Sequence, residues 1–169
     1  MKRIVTIVIL NALVICALAQ VNFGGKPYIF SNKIKTVKTI KSQNIKILLP
    51  PIDLKKLQEE DITDESNGIP PRFGFPFKVN LDLTNSGEWA ELENGDRIWN
   101  LEIQCPSAKS INLLYDRFWI PEEGRFYIYN SNKTDYIGGF TKYNNKGTRT
   151  NPGKFGTGLV YGDKIILVS

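Results

Sequence analysis

The residues of this chain whose types and spacing could do chemistry fall into short, separate runs. Glu91 and Glu93 lie two apart, so a strand would turn both carboxylates to one face, and Glu122 and Glu123 are adjacent. Paired carboxylates are the machinery of glycoside hydrolysis, one as general acid and the other as base or nucleophile. Both pairs, however, abut expected turns, where carboxylates are ordinarily solvated. Asn130, Asn132 and Asp135 in "YNSNKTDY" offer oxygens that could line a calcium loop, but an acidic first ligand and a closing Glu are both missing. The glycine-rich "GFTKYNNKGTRTNPGKFG" lacks the strand-to-helix context of a phosphate loop and reads as a long connection with turns. Trp89, Trp99, Trp119, Tyr115, Tyr127 and Tyr129 could form a sugar-stacking platform or could be core. Trp99 falls on an apolar strand face. Trp89, Tyr127 and Tyr129 fall out of phase with their apolar neighbours, which makes them the candidates for surface binding.

The chain contains no histidine. Without one, neither a Ser-His-Asp nor a Cys-His site can be built, and a zinc site based on His and Cys is excluded. The expectation is a non-catalytic chain with no cofactor and no metal.

The N-terminus reads as a targeting segment. Lys2 and Arg3 precede the apolar run "IVTIVILNALVICALA", which ends in the small-x-small pattern Ala17-Leu18-Ala19. Those are the parts of a secretory signal peptide spanning 1–19, cut between Ala19 and Gln20. Secretion, extracellular or periplasmic, follows, with no membrane attachment after cleavage. Removing Cys16 leaves Cys105 alone, so the mature chain has no internal disulfide. Cys105 shares a face with Trp99 and Ile103 and reads as a small buried apolar residue.

The net charge of +5 is unevenly spread. Residues 21–52 hold six Lys and no acid, residues 53–65 hold six acids and two Lys, and residues 70–169 hold twelve basic and eleven acidic residues. The basic excess therefore belongs to an arm, 20–69, and not to a basic face of the folded domain, which excludes nucleic acid as the expected partner. "KIKTVKTIKSQNIKILL" alternates weakly and reads as a loose strand or a linker. Asp53 is placed to cap a short helix near 53–60.

From residue 70 to 169 the pattern is strands. "FPFKVNLDL" sets Phe77, Val79, Leu81 and Leu83 on one face. "EWAELE" and "DRIWNLEIQC" flank Asn94-Gly95, read as a two-residue turn with positive φ at both positions. That hairpin sets the register which buries Trp99, Leu101 and Ile103. "SINLLYDRFWI" changes phase midway, a sign of a bulge or bend. "RFYIYN" and "YIGGFTKY" follow, and Gly162-Asp163 reads as the turn between two last strands. "IILV" has no polar alternation and should lie centrally, covered on both sides. Together these predict an all-β fold: an antiparallel two-layer β-sandwich, jelly-roll-like, of about eight strands.

The runs "SGEWAELENGDRIWNLEIQCPSAKSINLLYDRFWIPEEGRFYIYN", "GGFTKYNN" and "FGTGLVYGDKIILV" resemble the domain N-terminal to the catalytic domain in secreted bacterial trypsin-like serine proteases of the lysyl endopeptidase type. The matching positions are Trp89, the turn at Gly95-Asp96-Arg97, Trp99, Ile103, Ala108, Ile111, Phe118, Pro121, Tyr127, Tyr129, Gly138, Phe140, Thr157, Gly162 and Asp163. "LPPIDLKKLQEED" is similar to the segment preceding that domain, so the resemblance covers roughly residues 48–168. Position 105 departs from the family, which tends to a small polar residue there. The family pattern also runs on beyond Ser169 toward a catalytic domain. The resemblance implies a propeptide or accessory domain associated with a serine endopeptidase, in cis or in trans. It carries over no catalytic residue. The alternative is a free-standing module that binds extracellular glycan or protein.

Overall fold

The structure, a computed structural model, describes residues 24–31, 36–43 and 45–169. The expected signal peptide and its Ala19–Gln20 cleavage site lie outside the described residues. Among the described residues, eleven strands, one α-helix and two single-turn 3-10 helices make up the regular structure. The strands and the α-helix are β1 (Thr36–Gln43), β2 (Lys46–Leu48), α1 (Leu54–Ser66), β3 (Gly87–Leu92), β4 (Arg97–Gln104), β5 (Ser110–Ile111), β6 (Leu114–Phe118), β7 (Phe126–Asn130), β8 (Tyr136–Phe140), β9 (Gly153–Gly156), β10 (Val160–Tyr161) and β11 (Lys164–Val168). The main sheet runs β1-β3-β4-β11-β7-β8, with β2 beside β4 beyond the end of β3. The pairs β5–β10 and β6–β9 are separate antiparallel sheets, and the fold is an all-β sandwich.

Strand alternation explains the core. Odd residues of β4, Trp99, Leu101 and Ile103, point between the layers and are buried. Across the ladder Leu101 meets Leu167 and Ile103 meets Ile165. The second layer and β8 close over them with aromatic rings: Phe118 stacks on Phe155 at 4.2 Å, and Phe140 meets Phe155 edge-on at 5.1 Å. Burying an aliphatic side chain of this size contributes about 1.5–3 kcal/mol.

The main sheet is covered on its other face too. Tyr127, Tyr129 and Val168 lie there beneath Ile29 and Phe30. The Phe30 ring stands edge-on to Tyr129 at 4.9 Å and to Tyr136 at 5.9 Å. Double coverage is why "IILV" needs no polar alternation, and β11 does lie centrally between β4 and β7.

The Lys-rich segment is strand in 36–43 and 46–48, so the sheet takes two strands from before residue 70. β1 runs antiparallel along β3 from Leu92 to Gly87. Where β3 begins, the same stretch of chain continues as β2, parallel to β4. Glu102 ties the junction, with Oε1 3.3 Å from Lys46 Nζ and 3.4 Å from Lys164 Nζ. Asp53 caps α1 by accepting from the Lys56 N–H at 3.1 Å. The helix runs to Ser66, further than the expected 60.

Three local expectations are corrected. "FPFKVNLDL" forms no ladder: Val79 and Leu83 are exposed and only Phe77 and Leu81 are half-buried. The edge that such a strand would take is already held by β1 and β2, and Asp82 folds the end of the run into a turn by accepting from the N–H groups of Thr84 at 2.6 Å and Asn85 at 3.0 Å. At Asn94-Gly95 only Gly95 has positive φ, +85°. The Gly95 N–H reaches the Leu92 carbonyl at 3.0 Å and the Leu92 N–H reaches the Asp96 carbonyl at 2.8 Å. That is a three-residue loop, a type I turn followed by a left-handed glycine, and it keeps the expected register. Finally, β10 and β11 flank Gly162-Asp163 but do not pair. One joins β5 and the other the main sheet, because the chain changes layers at this corner. The phase change in 110–118 is a break between β5 and β6 with a ladder irregularity after Tyr115.

Candidate functional site

Each run singled out for chemistry is used up locally or left in solvent. Glu91, Glu93, Glu122 and Glu123 are all exposed. Lys142, hydrogen-bonded to Glu122, holds that carboxyl below the usual carboxylate range. A glycosidase acid needs the opposite shift, upward by burial. Asn130 spends its carbonyl oxygen on the N–H groups of Thr134 at 3.0 Å and Asp135 at 3.1 Å. Its amide donates to the Tyr161 carbonyl at 3.1 Å, and Asp135 accepts from the Tyr161 N–H at 2.7 Å. The loop thus anchors β10 with the oxygens that a cation would need. Among the described residues no cluster of three or more His, Cys, Asp or Glu could hold a metal ion. The glycine-rich run holds a short turn at Lys142–Asn144, after which Asn145 pairs both ways with the Ile120 backbone, at 2.8 and 2.7 Å.

The three aromatic candidates do not share a face. Trp89 sits opposite Trp99 and packs, half-buried, against the inter-layer core, with its indole N–H on the Leu83 carbonyl at 3.0 Å. Tyr127 and Tyr129 lie on the other side of the sheet and are buried. A single platform from Trp89, Tyr127 and Tyr129 is therefore not formed. The Tyr115 hydroxyl is buried against Phe118, Phe126 and Phe155 with no hydrogen-bond partner among the described residues. Burial pushes its pKa up, so it stays a neutral phenol.

Cys105 is half-buried against the core. Burial raises its thiol pKa, and the nearby Asp163 carboxylate adds to the shift. Thiolate is the reactive species, so a raised pKa leaves less of it at pH 8 than in free cysteine. Iodoacetamide at pH 8 should therefore alkylate the folded protein several-fold more slowly than free cysteine, with the rate rising at higher pH. Alkylation at the free-cysteine rate would show the thiol to be neither shielded nor shifted.

What sequence reasoning missed is a cleft of about 450 Å³ on the outer face, at the end of β11. Leu92, Ile98, Tyr127 and Val168 form its apolar lining, and Tyr28 walls one side. Lys26, Arg97 and Arg125 bring cations to it against Asp96 and Glu123. Asp96 is already engaged by the Asn94 amide at 2.6 Å. Its elements are far apart in sequence: the segment before β1, the β3–β4 loop, the start of β7 and the end of β11. No spacing rule links them.

No protein-family model matches the chain, and no solved structure matches it.

Proposed function

We propose that the chain is a non-catalytic sandwich domain associated with a secreted serine endopeptidase, acting as its prodomain or as an accessory module. One observation supports the reading beyond the resemblance. The segment between α1 and β3 displays a row of apolar side chains to solvent: Ile69, Phe73, Phe75, Val79 and Leu83 are 50, 80, 45, 51 and 46% exposed. Large apolar side chains left exposed at such close sequence spacing are the kind of residues that a surface docking on another protein uses. Phe75 and Phe77 hold their rings edge-on at 5.1 Å, which presets part of that surface.

The test is refolding of the endopeptidase encoded downstream of, or beside, this sequence, with and without the purified domain. The domain should raise the yield or lower the activity, and the Phe73→Asp/Phe75→Asp variant should lose most of that effect while keeping the fold. No change in either quantity would remove this reading. If tyrosine fluorescence then responds to polysaccharide, the outer-face cleft beside Tyr28 and Tyr127 supports the second reading, a free-standing glycan-binding module.

A further inference from the structure

The stretch between α1 and β3 is built unlike the tight turns elsewhere in the fold. Residues 70–80 belong to no ladder, and none of the N–H groups from Arg72 to Asn80 donates to a partner among the described residues. Pro70, Pro71 and Pro76 have no N–H to offer, and each disfavours helix in the residue before it. Both ends of the stretch are nevertheless fixed. The Arg72 guanidinium pairs with Glu60 at 3.0 Å and with Asp61, both on α1. At the other end Asp82 makes its turn, and the Trp89 indole N–H donates to the Leu83 carbonyl at 3.0 Å. Between these anchors Phe73, Phe75, Lys78, Val79 and Asn80 are exposed.

Cleavage of a folded chain ordinarily waits for local opening, and its rate follows the free energy of that opening. Here no ladder has to break. The setting of other basic residues is different. Lys55 and Lys56 lie in α1, and Lys154 and Lys164 lie in strands. The Lys133 N–H is held in a turn by the Asn130 carbonyl at 2.9 Å. Lys78 is the one charge in "FGFPFKVN", it makes no ion pair among the described residues, and proline stands on neither side of the bond that follows it.

We propose that Phe73–Asn80 is a site of limited cleavage, cut at Lys78–Val79 by an endopeptidase that reads a cationic side chain. That this enzyme is the endopeptidase partner rests on the reading under Proposed function. Water adds to the Lys78 carbonyl carbon and the bond to the Val79 nitrogen breaks, leaving a carboxylate on Lys78 and an amine on Val79. The part before the cut carries β1 and β2, which pair with β3 and β4 in the part after it. It also carries Ile29 and Phe30, the cover of Tyr127, Tyr129 and Val168. Cleavage therefore turns a tethered cover into one held by non-covalent contacts alone, which can be released from the outer face of the main sheet.

The probe is trypsin at a low ratio to the native chain, followed by intact mass, with cuts ranked over residues 46–169. The first cut in that range should fall after Lys78, and the two parts should co-elute in native size exclusion and separate in denaturant. Lys78 is exposed, so Lys78→Ala keeps the fold, and it should delay the first cut in the range by about tenfold. A first cut elsewhere in the range, or an undelayed first cut in the variant, overturns the site. Parts that separate without denaturant overturn the retained cover. The partner reading fails separately. If trypsin cuts at Lys78 and the endopeptidase leaves that bond intact, the site stands and that enzyme is not its user. If the domain assists refolding but trypsin spares Lys78, the partner stands and the site does not.

Discussion

Trp99→Ala should destabilise the protein by about 3–5 kcal/mol, the usual cost of deleting a buried aromatic ring. The residue is 4% exposed and sits at the head of the core row that continues through Leu101 and Ile103. Its indole N–H donates to the Ser86 carbonyl at 2.9 Å, and Ser86 is itself buried. Truncation therefore opens a cavity and orphans a carbonyl. Set against a typical domain stability of about 5–15 kcal/mol, the loss is large enough to lower the guanidinium midpoint by a third or more. Trp99→Phe separates the two contributions. It keeps most of the ring and gives up the N–H, so it should cost about 1–3 kcal/mol. Equilibrium denaturation of both variants, with unchanged slope, is the measurement. A Trp99→Ala midpoint within error of the parent would mean that the ring is not part of the core.

Trp99 was legible in the sequence because its partners are local in pattern: every second residue of β4 is apolar, and an Asn-Gly turn fixes the phase. The central place of β11 was legible for the same reason. The failures share a different cause. Alternation in 75–83 is as clean as in β4, yet that run makes no ladder, because a strand needs a free edge as well as a pattern. The edges of β3 and β4 are held by β1 and β2, whose own alternation is weak. Pairing between segments some fifty residues apart is settled by competition in three dimensions, which no window of sequence contains. Tyr127 and Tyr129 looked like surface aromatics because the core claims their neighbours. What buries them is the Ile29–Phe30 stretch, on the far side of the sheet. The cleft has no sequence signature for a related reason. It is lined by segments far apart in the chain, whose residues carry no common spacing.

Gly87→Ala tests that competition at the point where β3 begins. Gly87 has φ +81°, and its open side lies against the next strand. An added Cβ would stand 2.5 Å from Trp99 Cε2 and 2.6 Å from the Asn100 carbonyl oxygen. The conformation alone costs a residue with a Cβ about 1–2 kcal/mol, and overfilling a packed site adds about 1–3 kcal/mol. A loss of roughly 2–5 kcal/mol is expected from the two together. The buried indole, held by Ser86, and the Asn100 carbonyl, held in the ladder, both resist the added carbon. Combining Gly87→Ala with Trp99→Ala removes the first obstacle and leaves the second. The double variant should therefore be more stable than the sum of the single losses by about 1–3 kcal/mol, a coupling that distant sites would not show. Strict additivity would mean that the backbone alone demands glycine here. Either way the glycine sits where β3 must leave β4, since Gly87 is the last β3 residue paired with β1 and the β4 edge beyond it passes to β2. A side chain at this position would press on Trp99 and on the strand crossover together, so loss of stability should be accompanied by faster proteolysis after Lys46, within β2.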